Sequence, residues 1–184
     1  MIRNATFNDL PEIMELFKIV LEDMEHPTLK QYDWADLKKT MIDLGSNPDN
    51  KLGYPQLIVK EVDGKVAAYA GTYPSDFQED LDAVNKILKK HQVKDLDLFG
   101  DETLENEWYL DCLVTGKDYR GQGIGKELLE AVYKQAQDAG YPVVGLNCDQ
   151  DNDFARAIYE KQGFKTVTEI DIVGHTYDHM QKPV

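Results

Sequence analysis

Gly121, Gly123 and Gly125 alternate immediately ahead of a stretch in which Ile124, Leu128, Ala131 and Val132 recur at helical spacing. The chemistry open to such a run is anion binding. Glycine lets the backbone approach a ligand closely, and the first turn of a helix presents N–H groups without partners of their own. The positive end of the helix dipole adds to that, and Arg120 and Lys126 bracket the loop with full charges. Together with Lys117 they form a local basic spot opposed only by Asp118. It stands out because acidic residues outnumber basic ones by 34 to 20 over the whole chain, for a net charge of −14. Two nucleotide motifs fail on spacing. A dinucleotide fingerprint needs glycine where Lys126 stands; a Walker loop ending at Gly125-Lys126 needs glycine at Arg120 and Ser or Thr at Glu127. A merely flexible helix entry leaves the three glycines beside a basic pair unexplained.

A second group lies downstream. On a helix, Asn152, Ala155 and Tyr159 share one face, and a small alanine between two polar side chains leaves room for a ligand chain to pass. Phe154 and Ile158 read as ordinary apolar positions. The loop Arg120-Gly121-Gln122-Gly123-Ile124-Gly125 resembles the R-x-x-G-x-G acyl-CoA signature of the GNAT superfamily of N-acetyltransferases. Asn152, Ala155, Tyr159 and Gly163-Phe164 resemble that superfamily's later N-x-x-A-x-x-x-Y-x-x-x-G-F pattern, and Ile2 to Thr6 with Asp9 resemble its opening strand and helix. The likeness runs through nearly the whole chain in order, except for the stretch from Pro74 to Asn106.

The resemblance implies acetyl-CoA as co-substrate, with no metal. It implies that Arg120 to Gly125 and Lys126 hold the pyrophosphate, that Leu113, Val114 and Thr115 offer backbone groups to pantetheine, and that Asn152 bonds its amides beside Ala155. It implies that Tyr159 sits near the thioester sulfur, where a phenol can protonate the leaving thiolate. The attacking amine must first lose a proton, since alkyl amines are mostly cationic near neutrality. Strand alternation from Glu107 to Thr115 puts Glu107, Tyr109, Asp111, Leu113 and Thr115 on one face. Trp108, Leu110, Cys112 and Val114 fall on an apolar one. Two carboxylates in mid-sheet are costly unless they meet water or a ligand, which makes both candidates for the base, directly or through a water. The resemblance implies Asp111 first and Glu107 second, since several members of the superfamily carry an acidic residue where Asp111 stands. The competing reading is that they bond helix caps or loop groups. Cys112 on the apolar face speaks against an acyl-cysteine route.

The elements that must position these residues are legible from periodicity. Ile2–Thr6 reads as a strand, followed by a helix capped at Asn8 with Ile13, Leu16, Phe17, Val20, Leu21 and Met24 along its stripe. A second helix carries Trp34, Leu37, Met41 and Leu44. Gln56–Val62 and Lys65–Tyr73 form a hairpin about Asp63-Gly64. A Ser75/Gln78 capping box predicts a helix with Phe77, Leu81, Val84 and Leu88 on one side. The acidic stretch from Val93 to Asn106 has no period. Strand Glu107–Thr115, helix Gly121–Ala139, strand Val143–Cys148, helix Asn152–Gln162 and strands Phe164–Ile172 and Thr176–Lys182 complete a single α/β (α+β) domain over 1–184. Its expected form is a GNAT fold, with a mixed central sheet flanked by helices and an insertion at about 74–106.

Composition limits the partners. A chain this acidic should repel nucleic acid and anionic membrane and mildly attract cationic amines. No apolar run approaches membrane-spanning length, no secretory signal opens the sequence, and two cysteines fit neither a disulfide scaffold nor a metal cluster, so the expected location is the cytoplasm. The acceptor is expected to be a primary amine on a small molecule; a protein N-terminus or lysine, or a non-catalytic acyl-CoA-binding module, are the alternatives. Glu22, Glu25, His26, the 74–106 segment and Gly174–His179 are the candidate acceptor wall, with His175 and His179 reading as surface histidines on a terminal hairpin. The insertion itself reads as a lid, a homodimer contact or packing.

Overall fold

The computed structural model describes residues 1–94, 96 and 102–184. Seven strands form one sheet: β1 (Ile2–Asn4), β2 (Leu57–Val62), β3 (Lys65–Pro74), β4 (Trp108–Thr115), β5 (Val143–Asp149), β6 (Lys165–Ile172) and β7 (His175–Pro183). They lie in the order β1-β2-β3-β4-β5-β7-β6. Every neighbouring pair is antiparallel except β4–β5 at the centre. Helices α1 (Leu10–Asp23), α2 (Thr28–Gln31), α3 (Trp34–Ser46), α4 (Leu81–Lys90), α5 (Ile124–Ala139) and α6 (Asp153–Lys161) complete the fold. One core lies under α1 and α3, where Leu10, Ile13, Phe17, Leu37, Met41 and Leu44 meet Val59, Tyr69 and Val114. The other lies under α5, where Ile124, Leu128, Leu129 and Val132 meet Ala68, Leu110, Val144 and Leu146. The mixed sheet and flanking helices match the expected fold class.

Local chemistry explains the element ends, including three that differ from expectation. Asn8 is not the cap of α1; it lies inside a 3-10 turn, Phe7–Asp9. There the Asp9 carboxylate accepts from the Thr6 N–H at 2.7 Å and from both ends of the Arg3 guanidinium at 2.8 and 2.9 Å. The arginine holds the Asp9 carboxyl well below the usual range. Nor does Ser75 cap α4. Asp80 does, accepting from the Ala83 N–H at 2.9 Å, while the Ser75 hydroxyl accepts from the Glu107 N–H at 3.2 Å and ties the start of the 74–106 segment to its end. Phe77 packs on the Tyr73 ring and Leu81 is exposed, so the buried stripe of α4 begins at Val84. The Asp63-Gly64 turn is as read: both residues have positive φ, 50° and 76°, as a two-residue hairpin of the favoured hand requires.

Candidate active site

The site opens where β4 and β5 part. Their pairing covers Trp108–Leu110 against Val144–Leu146 and stops, while β3 follows β4 as far as Thr115 and β7 follows β5 as far as Asp149. The wedge left between the two strands is a cleft of about 1400 Å³. Backbone groups of β4 beyond Leu110 lose their partner strand on this side and are available to an extended ligand.

At one end of the cleft stands the glycine loop. Gly121 and Gly123 have φ of 75° and 80°, and a side chain at either would project into open space rather than protein. Gly123 is the N-cap of α5 and the Glu127 N–H makes the first return bond to its carbonyl, so the N–H groups of Ile124, Gly125 and Lys126 point forward without helical partners. A Cβ at Gly125 would meet nothing nearer than Thr115 Oγ1 at 4.0 Å, so the space between the end of β4 and the helix start is open. Arg120 is pinned to this corner by its Nε bond to the Thr115 carbonyl at 3.2 Å, and Glu127 nearby is neutralised by an ion pair with Lys60. Gln122 turns elsewhere, donating to the Asp118 carbonyl at 3.3 Å, and does not line the cleft. Ile124 and Val114 line it but bury their side chains in opposite cores, so only their backbones can serve a ligand.

Asn152, Ala155 and Tyr159 line the β5 side together, as their spacing requires. Asn152 Oδ1 caps α6 by accepting from the Ala155 N–H at 3.0 Å, which leaves its Nδ2 to donate outward. The Tyr159 ring packs edge-on against Phe164, and its hydroxyl has no hydrogen bond among the described residues. Burial pushes its pKa far above that of an ordinary phenol, so it stays a proton donor.

The β4 wall departs from simple alternation. Gly71 opposes Cys112 and Thr72 opposes Leu110, so Asp111 has no partner on β3 and forms a bulge. The phase of the strand changes there. Trp108, Leu110 and Leu113 pack on the α5 side, but Cys112 and Val114 belong to the α1 and α3 core. The expected apolar face of Trp108, Leu110, Cys112 and Val114 is therefore split. Cys112 lines the cleft beside Asp111, yet burial, assisted by the Asp111 charge, pushes its thiol up to about 12, and a protonated thiol is no nucleophile. The acyl-cysteine route is disfavoured for that reason rather than by orientation.

Asp111 is half-buried in the cleft wall, where it accepts from the Tyr73 hydroxyl at 3.2 Å. Burial raises its pKa above the ordinary carboxylate range. Glu107 is placed otherwise. It precedes β4, is 0 % exposed and does not line the cleft. Its carboxyl group bonds His179 Nε2 at 2.9 Å, Gln181 Nε2 at 2.8 Å and the Leu104 N–H at 2.8 Å. Any side chain at Gly145 would collide with it. His179 is likewise 0 % exposed, not a surface histidine; alternation of β7 in a sheet covered on both faces put it inside. His175 does line the cleft, as does Glu25. Glu22 pairs instead with Lys18, and His26 is buried with Nδ1 2.7 Å from the Thr28 hydroxyl. Glu102, inside the aperiodic acidic stretch, also reaches the cleft. No periodicity could have marked it.

The amino-acid pattern of the acetyltransferase (GNAT) family matches residues 13–164. The chain belongs to that family. Membership carries the class of activity, acetyl-CoA-dependent N-acetyl transfer. A solved acetyltransferase is 38% identical, with 100% of this chain and 99% of that one aligned at a TM-score of 0.85. An N-acetyltransferase from Staphylococcus aureus Mu50 is 26% identical over 99% of this chain and 100% of that one, at a TM-score of 0.82. The peptidyl-lysine N-acetyltransferase YjaB of Salmonella typhimurium (strain LT2) is 37% identical over 71 residues, 38% of this chain. That match spans only 46% of YjaB, less than half its length. No helix among the described residues is long and apolar enough to cross a membrane.

Proposed function

We propose that this chain moves the acetyl group of acetyl-CoA to a primary amine on a small molecule, by direct attack in a ternary complex. The observation that carries the reading is the placement of Asp111 and Tyr159 on opposite walls of one cleft, with the anion-binding corner of α5 at its end. In this reading the N–H groups of Gly121, Gly123, Ile124 and Gly125, with Arg120 and Lys126, hold the pyrophosphate. The pantetheine lies along Leu113, Val114 and Thr115 in the place of a missing strand, with the Asn152 amide and Ala155 opposite.

Asp111 takes a proton from the ammonium, and the nitrogen lone pair forms the C–N bond at the thioester carbonyl. Collapse of the tetrahedral intermediate breaks the C–S bond and the sulfur receives the Tyr159 proton; the second nitrogen proton leaves to the phenolate or to water. The burial that raises Tyr159 also raises a thiol leaving beside it, so the transfer between them is not opposed by burial. The cation-attracting charge of the chain favours an ammonium substrate, and two free cysteines fit a reducing compartment such as the cytoplasm. We assign the activity to one catalytic domain, 1–184, whose 74–106 insertion walls the acceptor end through Glu102.

A lysine side chain on a peptide is the second reading, favoured by the likeness to a peptidyl-lysine N-acetyltransferase. Thiol release from acetyl-CoA, measured against a panel of small primary amines and lysine-containing peptides, separates the two. Higher kcat/KM for peptides than for any small amine overturns the first; CoA binding without turnover on either panel overturns both.

A further inference from the structure

Glu102 stands next to the reacting end of the cleft and belongs to none of the family-like motifs. Its carboxylate lies 3.2 Å from the Tyr109 hydroxyl, and the Asp111 carboxylate lies 3.2 Å from that of Tyr73. The two tyrosine rings are 5.6 Å apart, so both carboxyl groups are presented by one aromatic wall. Behind Tyr109 runs a line of hydrogen bonds into the core. Asn147 Nδ2 donates to the Tyr109 oxygen at 2.8 Å and to the Glu102 carbonyl at 3.0 Å; its Oδ1 lies 2.7 Å from His179 Nδ1, and His179 Nε2 meets Glu107.

The direction of this line is fixed. The Glu102 carbonyl can only accept, so it must face the Asn147 amino group, and Asn147 Oδ1 must face His179, whose Nδ1 therefore donates. Both amino protons of Asn147 are committed, one of them to the Tyr109 oxygen. The Tyr109 hydroxyl proton is left to point at Glu102.

We infer that Glu102 is a second proton-accepting carboxyl of the acceptor site, sharing the base role with Asp111, and that Asn147, His179 and Glu107 are positioning residues that aim the Tyr109 hydroxyl at it. The inference rests on the reading of Asp111 as base. The balance is a single proton: R–NH3⁺ and an ionised carboxyl of the pair give R–NH2 and a pair carrying one more proton. Burial and the neighbouring Asp111 charge both raise Glu102, and burial raises Asp111, so the pair keeps a proton at a pH where a lone carboxyl has lost it. Among the described residues, the other groups that face the pair include Lys51, which favours the ionised forms, Glu79 acting on Asp111, the hydroxyls of Tyr69, Tyr73 and Tyr177, and the Cys112 thiol.

The test is the pH profile of kcat/KM for the wild-type chain, Glu102→Gln, Asp111→Asn and the double variant, using the best amine of the panel. Asp111 ionises first and its charge raises Glu102, so Glu102→Gln should remove the upper step of the acid limb and leave the step set by Asp111. Asp111→Asn should keep part of the activity through Glu102, with about a tenfold loss, and the double variant should fall by about 10²–10⁴. An Asp111→Asn variant as inactive as the double, beside a Glu102→Gln variant with wild-type rate and limb, overturns the inference and leaves Asp111 as the base. A double variant with wild-type activity overturns both.

For the positioning line, Asn147→Asp keeps the bond to His179 but turns an acceptor toward Tyr109, which draws that hydroxyl off Glu102 and should move the limb up. The same substitution in a Tyr109→Phe background should move it by less than half as much; an equal shift in both backgrounds refutes the positioning role.

Discussion

Replacing Tyr159 by phenylalanine separates chemistry from fold more cleanly than any other change in the cleft. The hydroxyl has no hydrogen bond among the described residues, and the ring contact with Phe164, at 5.7 Å between centroids, is independent of it. Its loss leaves no buried group unpaired, so stability should change by less than about 1 kcal/mol and Tm by less than about 4 °C. The KM for acetyl-CoA should stay within about threefold, because the loop and the β4 backbone are untouched. A general acid contributes about 10²–10⁴ in rate, or about 2.7–5.4 kcal/mol of barrier, and all of it should appear in kcat. The assay is thiol release at saturating acetyl-CoA and amine, followed from about pH 6 to about pH 9, either side of the neutral pH at which a general acid is matched to its task, with a thermal melt of the same preparation. The phenol is raised far above its ordinary range, so the wild-type profile should show no alkaline fall from Tyr159 in that window. A Phe variant with wild-type kcat refutes the acid role. A large loss of kcat accompanied by a Tm drop well beyond 4 °C would instead assign Tyr159 to packing.

Gly123→Ala places a side chain at φ 80° with no atom within 4 Å, so its cost to the fold is backbone strain alone, about 1 kcal/mol, whereas acetyl-CoA affinity should fall at least tenfold; calorimetric titration with CoA checks it. Asn152→Asp keeps the cap on α6 but removes the amide donor, so Tm should hold while KM for acetyl-CoA rises; Asn152→Ala should lose both, with a stability cost of about 0.5–2 kcal/mol. Asp9 has a lowered folded pKa, so it stabilises the fold above its unfolded pKa of about 3.9 and that contribution is lost as pH falls below it. Arg3→Ala should therefore lower Tm at pH 7 and flatten the fall in stability between about pH 4 and pH 2, as read from chemical denaturation across that range.

The sequence made the donor side of the site readable and left much of the acceptor side hidden. The loop from Arg120 to Gly125 and the face of Asn152, Ala155 and Tyr159 are local patterns: backbone freedom, helix start and helix period decide them within a few residues. Asp111 is different. A bulge is a mismatch in count between two strands, and neither strand alone records it, so alternation misassigned Cys112 and Val114 although the strand itself was found. Glu107 and His179 illustrate the same limit. The pattern of a single strand carries nothing of their burial, which comes from each other, from Gln181 and from the absent side chain of Gly145. Glu102 is held at the cleft by bonds with Tyr109 and Asn147, 7 and 45 residues away.

The parting of β4 and β5 also makes the cleft a seam. Besides the short parallel ladder at Trp108–Leu110, the two halves of the sheet are tied by α5 across one face, by the bonds from Glu107 to β7 and by the Asn147–Tyr109 bond. A ligand lying in the wedge replaces the missing ladder and acts as a stitch between two leaves. Binding then stabilises the fold by mass action, about 2.7 kcal/mol at a hundredfold excess over Kd. Amide protons of β4 and β5 beyond the ladder should gain exchange protection before those of the outer strands.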